Sequence, residues 1–83
     1  MHLVPRRKNI EFLSKLGINK NVALEILKSL SVSNYYSGPE EDDQNRPCKI
    51  WKFKLTIEDS QVYIKIAEPF DKTKGYTCIS FHD

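Results

Sequence analysis

Cysteine is scarce in this chain. Cys48 and Cys78 are the only two in 83 residues, and neither sits in a CxxC or Cys/His spacing. That argues against a zinc site and against a fold stapled by disulfides. Cys48 reads as a loop thiol and Cys78 as a half-buried strand residue. Long apolar runs are missing as well: none approaches the ~20 residues of a membrane span, and the N-terminus has no signal-peptide apolar region. A cytoplasmic protein with no membrane partner is expected. Glycine is absent from the acidic run Glu40–Asp43, and four consecutive carboxylates without a tight turn cannot all converge on one cation. That run reads as a solvated loop, with no metal and no cofactor implied.

What is present fits one small domain spanning residues 1–83, with a core adequate for folding but not generous. The net charge is only +2, yet it is unevenly spread. With Glu40–Asp43 set aside, thirteen basic side chains face seven acidic ones. A basic body points mildly to a polyanionic partner.

Along the chain, Met1–Pro5 should be an extended lead-in, although Leu3-Val4-Pro5-Arg6 also matches a protease-linker sequence. Arg6, Arg7 and Lys8 form a basic cluster that serves equally as a solvated helix start. Ile10, Leu13 and Leu16, with Phe12 beside them, have helical spacing and predict a helix from Arg7 to Leu16. Gly17 is placed to end it in the left-handed conformation, and Asn19 to cap the next. Val22, Ala23, Ile26, Leu27 and Leu30 mark that second helix, Lys20–Ser29. Ser31–Pro47 reads as irregular. Of its adjacent Tyr35 and Tyr36, one is expected in the core and the other lining a site.

Three strands follow: Lys49–Glu58, Gln61–Ala67 and Tyr76–His82. Alternation separates two faces. Trp51, Phe53, Leu55, Ile57, Val62, Ile64, Ile66, Thr77, Ile79 and Phe81 make a core, which the two helices should cover. Lys52, Lys54, Tyr63, Lys65, Tyr76, Cys78, Ser80 and His82 make a cationic surface. A turn at Asp59-Ser60 would set Lys54 opposite Lys65, Tyr63 beside Ser80 and Lys65 beside Cys78. The architecture expected is α+β, with two N-terminal helices on one face of an antiparallel sheet of three or four strands.

Such a surface suits phosphodiester transfer in RNA. The 2′-hydroxyl must lose a proton, the 5′-oxygen must gain one, and the phosphorane between them needs positive charge. Histidine ordinarily titrates near neutrality, so His82 is the choice for acid or base. Lys52 and Lys65 would supply charge, and Tyr63 would orient the phosphate or share the proton. Each residue also has an ordinary reading. A histidine near a C-terminus is usually just exposed, outer-face lysines discourage edge pairing, and a strand tyrosine is often a packing partner.

The segments Leu27–Leu30, Asn34-Tyr35-Tyr36-Ser37-Gly38-Pro39, Arg46-Pro47, Ile50-Trp51, Val62-Tyr63-Ile64-Lys65-Ile66 and Cys78-Ile79-Ser80-Phe81-His82 resemble the MqsR family, and more narrowly its short members. The resemblance implies a RelE-like fold and a ribosome-independent, metal-free mRNA endonuclease. Such an enzyme is the toxin of a bacterial type II toxin–antitoxin pair and halts translation and growth. It also implies a separate antitoxin protein, through which the complex would bind its operator DNA. By motif, Tyr63 matches the family's tyrosine. Lys52 stands where the family has a glutamine, Ser37 where it has one lysine, and His82 where it has another. One position in four is identical, which leaves cleavage sequence and acid–base roles open. Motif and face parity together select Lys52, Tyr63 and His82 as catalytic. Lys65, Lys54, Tyr36 and Ser37 would hold RNA phosphates. The alternative is a non-catalytic adaptor that binds RNA or protein through the same face.

Overall fold

The computed structural model describes residues 1–41, 48–69 and 75–83. The chain is α+β; its described residues form two α-helices and one five-stranded sheet. In order it forms β1 (His2–Leu3), α1 (Arg7–Leu16), α2 (Lys20–Lys28), a 3-10 turn (Val32–Asn34), β2 (Tyr35–Glu41), β3 (Lys49–Ile57), β4 (Ser60–Glu68) and β5 (Thr77–His82). Spatially the strands run β1-β5-β4-β3-β2. The pairs β2/β3, β3/β4 and β4/β5 are antiparallel, while β1 lies parallel to β5. Among the described residues no helix is long and apolar enough to cross a membrane.

Both helices end where local chemistry ends them. Gly17 takes φ 73°, the left-handed geometry that costs glycine least. Its N–H reaches the Ser14 carbonyl at 3.1 Å, and Ile18 N–H reaches the Leu13 carbonyl at 3.1 Å. Asn19 caps α2 by accepting from Val22 N–H at 2.9 Å. The buried side of α1 is Asn9, Phe12 and Leu13, with Leu16 partly covered. Ile10, expected inside, faces out, as does Val22 on α2.

The sheet is larger than expected, and both added strands come from segments that lack alternation. His2 and Leu3, expected as a lead-in, pair with Thr77 and Cys78 because Leu3 has a core to enter. Tyr35–Glu41, expected to be irregular, is the β2 edge strand. An edge tolerates Pro39, which has no N–H to donate. Two irregularities in its register, between Tyr35 and Ser37 and between Ser37 and Glu40, hide its period.

The β3/β4 hairpin turns at Glu58-Asp59, one residue earlier than expected. Both residues have positive φ, 48° and 68°. Two such residues match the right-handed twist of the flanking strands. Pairing therefore slides by two: Lys52 faces Lys65, and Lys54 faces Tyr63. Between β4 and β5, His82 faces Tyr63, Ser80 faces Lys65 and Cys78 faces Ile66. Ile79 is the unpaired extra residue, and an extra residue inverts side-chain parity beyond it. Cys78 consequently lies in the core, fully buried, where Thr77 and Ile79 were expected. Burial pushes its thiol up to about 12, and among the described residues neither cysteine forms a disulfide.

The main core joins Leu3, Phe12, Leu13, Ala23, Leu27, Val62, Ile64, Ile66, Cys78 and Phe81, with Phe53, Leu55 and Ile57 at its margin. Trp51 lies outside that cluster. It packs with Tyr35 (ring centroids 6.0 Å) and donates to Glu68 at 3.1 Å. The helices sit toward the β1/β5 end, α1 against β5 and α2 near β1.

Candidate functional site

The face of the sheet turned away from the core carries two transverse rows. In the first, Ser37 of β2, Lys52 of β3, Lys65 of β4 and Ser80 of β5 lie side by side in register. In the second, Lys54, Tyr63 and His82 do so, and the Tyr36 ring joins them from β2. Neighbouring strands lie ~4.8 Å apart, and residues two apart along a strand ~6.7 Å. All seven residues expected to bind or act on RNA therefore share one compact surface.

Tyr63 and His82 are directly opposite each other. The His82 Nδ1 lies 3.0 Å from the Asp83 carbonyl oxygen. That oxygen only accepts, so Nδ1 is the donor in this contact, and in the neutral ring the lone pair then falls on Nε2. Tyr63 is 45% exposed and meets Tyr36 edge to face, with centroids 6.4 Å apart at 78°. Lys54 Nζ stands 5.1 Å over the Tyr36 ring, a cation–π distance. Tyr35 turns to the other face, beside Trp51 and Phe53. Of the two tyrosines, then, Tyr36 lines the site, and neither is buried.

Lys52 belongs to a different group from His82, two strands away. Its Nζ is 2.7 Å from Glu40 Oε1, and Ser37 donates to Glu40 Oε2 at 3.0 Å. The hydrogen bond from Lys52, then that from Ser37, then the charges of Lys52 and Lys65 hold the Glu40 carboxyl below the usual carboxylate range. The expected set Lys52, Tyr63 and His82 thus divides into a Tyr63–His82 pair and a cationic group of Lys52 and Lys65. Of the acidic run, Glu40 faces this group, while residues 42–47 and the side chain of Glu41 lie outside the described residues.

Arg6 is a neighbour that alternation could not reveal. It comes from the turn before α1, and its guanidinium is 3.3 Å from Ser80 Oγ, extending the first row by one cation. Beyond His82, an open cleft of about 310 Å³ is lined by Lys8, Glu11, Phe12, Lys15, His82 and Asp83. Lys15 holds Asp83 at 2.9 Å and keeps its carboxyl low. The only forewarning of this flank was the basic cluster Arg6–Lys8.

Chemically, the surface offers a proton acceptor, a phenol beside it, fixed positive charge one row away and ring faces for bases. Comparison with family models, curated proteins and solved structures finds no match for the chain.

Proposed function

We propose that the chain is a RelE-like toxin of the MqsR type, a metal-independent endoribonuclease that cleaves mRNA and so halts translation and growth. The observation that carries the reading is the direct pairing of Tyr63 with His82, beside the Lys52/Lys65 row. The motif resemblance selects Lys52, Tyr63 and His82 on separate grounds.

In this mechanism His82 Nε2 takes the proton of a ribose 2′-hydroxyl. The 2′-oxygen bonds to the adjacent phosphorus, and the bond from phosphorus to the 5′-oxygen breaks. The Tyr63 hydroxyl protonates the leaving 5′-oxygen. Products are a 2′,3′-cyclic phosphate and a 5′-hydroxyl end, after which His82 returns its proton to Tyr63. Lys52 and Lys65 stabilise the phosphorane charge, Ser37 binds a phosphate oxygen, and Tyr36 with Lys54 supports a base. A separate antitoxin would hold the protein inactive and carry it to operator DNA.

Expression in a bacterial host tests the reading. Wild type is expected to arrest growth, whereas Tyr63→Phe and His82→Ala relieve the arrest while remaining folded by circular dichroism. Full toxicity of both variants refutes the site. A wild type that binds RNA without harming cells or cutting transcripts supports the adaptor instead.

A further inference from the structure

We propose that Glu40 is a built-in phosphate mimic: its carboxylate occupies the subsite that Ser37, Lys52 and Lys65 form for an RNA phosphodiester, and RNA must displace it to bind. The inference rests on the functional reading above and adds a regulatory residue to it.

Geometry is the first ground. The two carboxylate oxygens are separately engaged, Oε1 by Lys52 Nζ at 2.7 Å and Oε2 by Ser37 Oγ at 3.0 Å. A phosphodiester presents two non-bridging oxygens in the same way, and ammonium plus hydroxyl is an apt donor set for it. Lys65 directly faces Lys52 across β3/β4. Two like charges in that position repel each other, and an anion close to them relieves the repulsion.

The backbone is the second ground. Ser37 and Glu40 are three residues apart, so strict alternation would send them to opposite faces. Between them the register breaks: Ser37 pairs Lys52, while Glu40 pairs Ile50. Three steps along β2 thus match two along β3, and both side chains reach the outer face. Gly38 sits in this break at φ 111°, so close to β3 that a Cβ would lie 2.5 Å from the Ile50 carbonyl oxygen. The kink requires glycine, and its consequence is to aim Glu40 at Lys52. Glu40 is 43% exposed on its side chain, against 26% for Lys52. The carboxylate is the outer, displaceable partner and the lysine the inner one.

A plug in place about nine-tenths of the time lowers apparent affinity about tenfold. The test measures binding of a fluorescent, 2′-deoxy, uncleavable oligonucleotide by anisotropy at several salt concentrations. It compares full-length wild type, Glu40→Gln, Glu40→Ala and Glu25→Gln. Glu25, on α2 beside Lys28, controls for a change of one charge unit away from the sheet face. Both Glu40 variants are expected to bind on the order of tenfold tighter, and to steepen the log K against log salt slope by about 0.7 for the phosphate contact regained. Glu25→Gln should change affinity less than about twofold. Equal or weaker binding by the Glu40 variants, a gain matched by Glu25→Gln, or no binding by Glu40→Gln at low salt overturns the proposal. Because this probe cannot be cut, the result is independent of the cleavage assay. A tighter Glu40→Gln in a protein that cuts nothing would sink the nuclease reading and leave the phosphate subsite standing.

Discussion

Asn9 is the residue on which the β5 edge depends. It is 1% exposed. Its side-chain amide donates to the Val4 and Ile79 carbonyls, each at 2.9 Å, and its oxygen accepts from Phe81 N–H at 2.9 Å. One side chain thereby takes the place of a strand neighbour beside the Ile79 irregularity, beyond the short reach of β1. Asn9→Ala leaves three backbone groups without these partners. At ~1–3 kcal/mol for an unsatisfied buried group, partly relieved by water, a loss of about 3 kcal/mol in urea unfolding is expected. Asn9→Asp should be destabilising at pH 7, since a carboxylate would face two carbonyls. Burial raises that carboxyl above its unfolded value, so the folded state binds the extra proton and part of the lost stability returns on acidification toward pH 5. If Asn9→Ala unfolds like wild type, this account of the edge is wrong. None of it was legible from periodicity, because a polar residue on the core side of a helix looks like a break in the pattern.

At the scale of elements, what could be read from the sequence depended on bulges. β3 and β4 pair without interruption from Lys49/Glu68 to Ile57/Ser60, so alternation alone placed Lys52, Lys54, Tyr63 and Lys65 on one face. A one-residue error at the turn slid the pairing by two, which moved partners but not faces. β5 and β2 carry extra residues, and there parity misled: Cys78 exchanged places with Thr77 and Ile79, and β2 went unseen. The helix ends were legible because Gly17 and Asn19 act locally, whereas Ile10 was misplaced because tertiary packing, not spacing, chose which side of α1 to bury. The hairpin turn itself is improvable. Glu58 and Asp59 hold left-handed geometry that costs a residue other than glycine roughly 1–2 kcal/mol. Glu58→Asn combined with Asp59→Gly is expected to stabilise by about 1 kcal/mol, raising Tm by ~4–8 °C for a domain of this size. An unchanged or lower Tm in calorimetry would contradict the turn assignment.

For the whole molecule, the helices and the core gather at one side of the sheet, while Lys52, Lys54, Lys65, Tyr36, Tyr63 and His82 gather at the other. The face was legible because it lies mainly on the two regular strands. Arg6 and the α1 flank were not, since they reach it only through the fold. The central claim is that this face cuts RNA through Tyr63 and His82 without a metal ion. The most direct measurement incubates purified protein with a long transcript in EDTA and resolves the products on a gel with end-group analysis. Wild type is expected to yield discrete fragments with 2′,3′-cyclic phosphate and 5′-hydroxyl ends, with Tyr63→Phe and His82→Ala slower by about a hundredfold or more. An intact transcript in EDTA, or cleavage that persists undiminished in both variants, would contradict it.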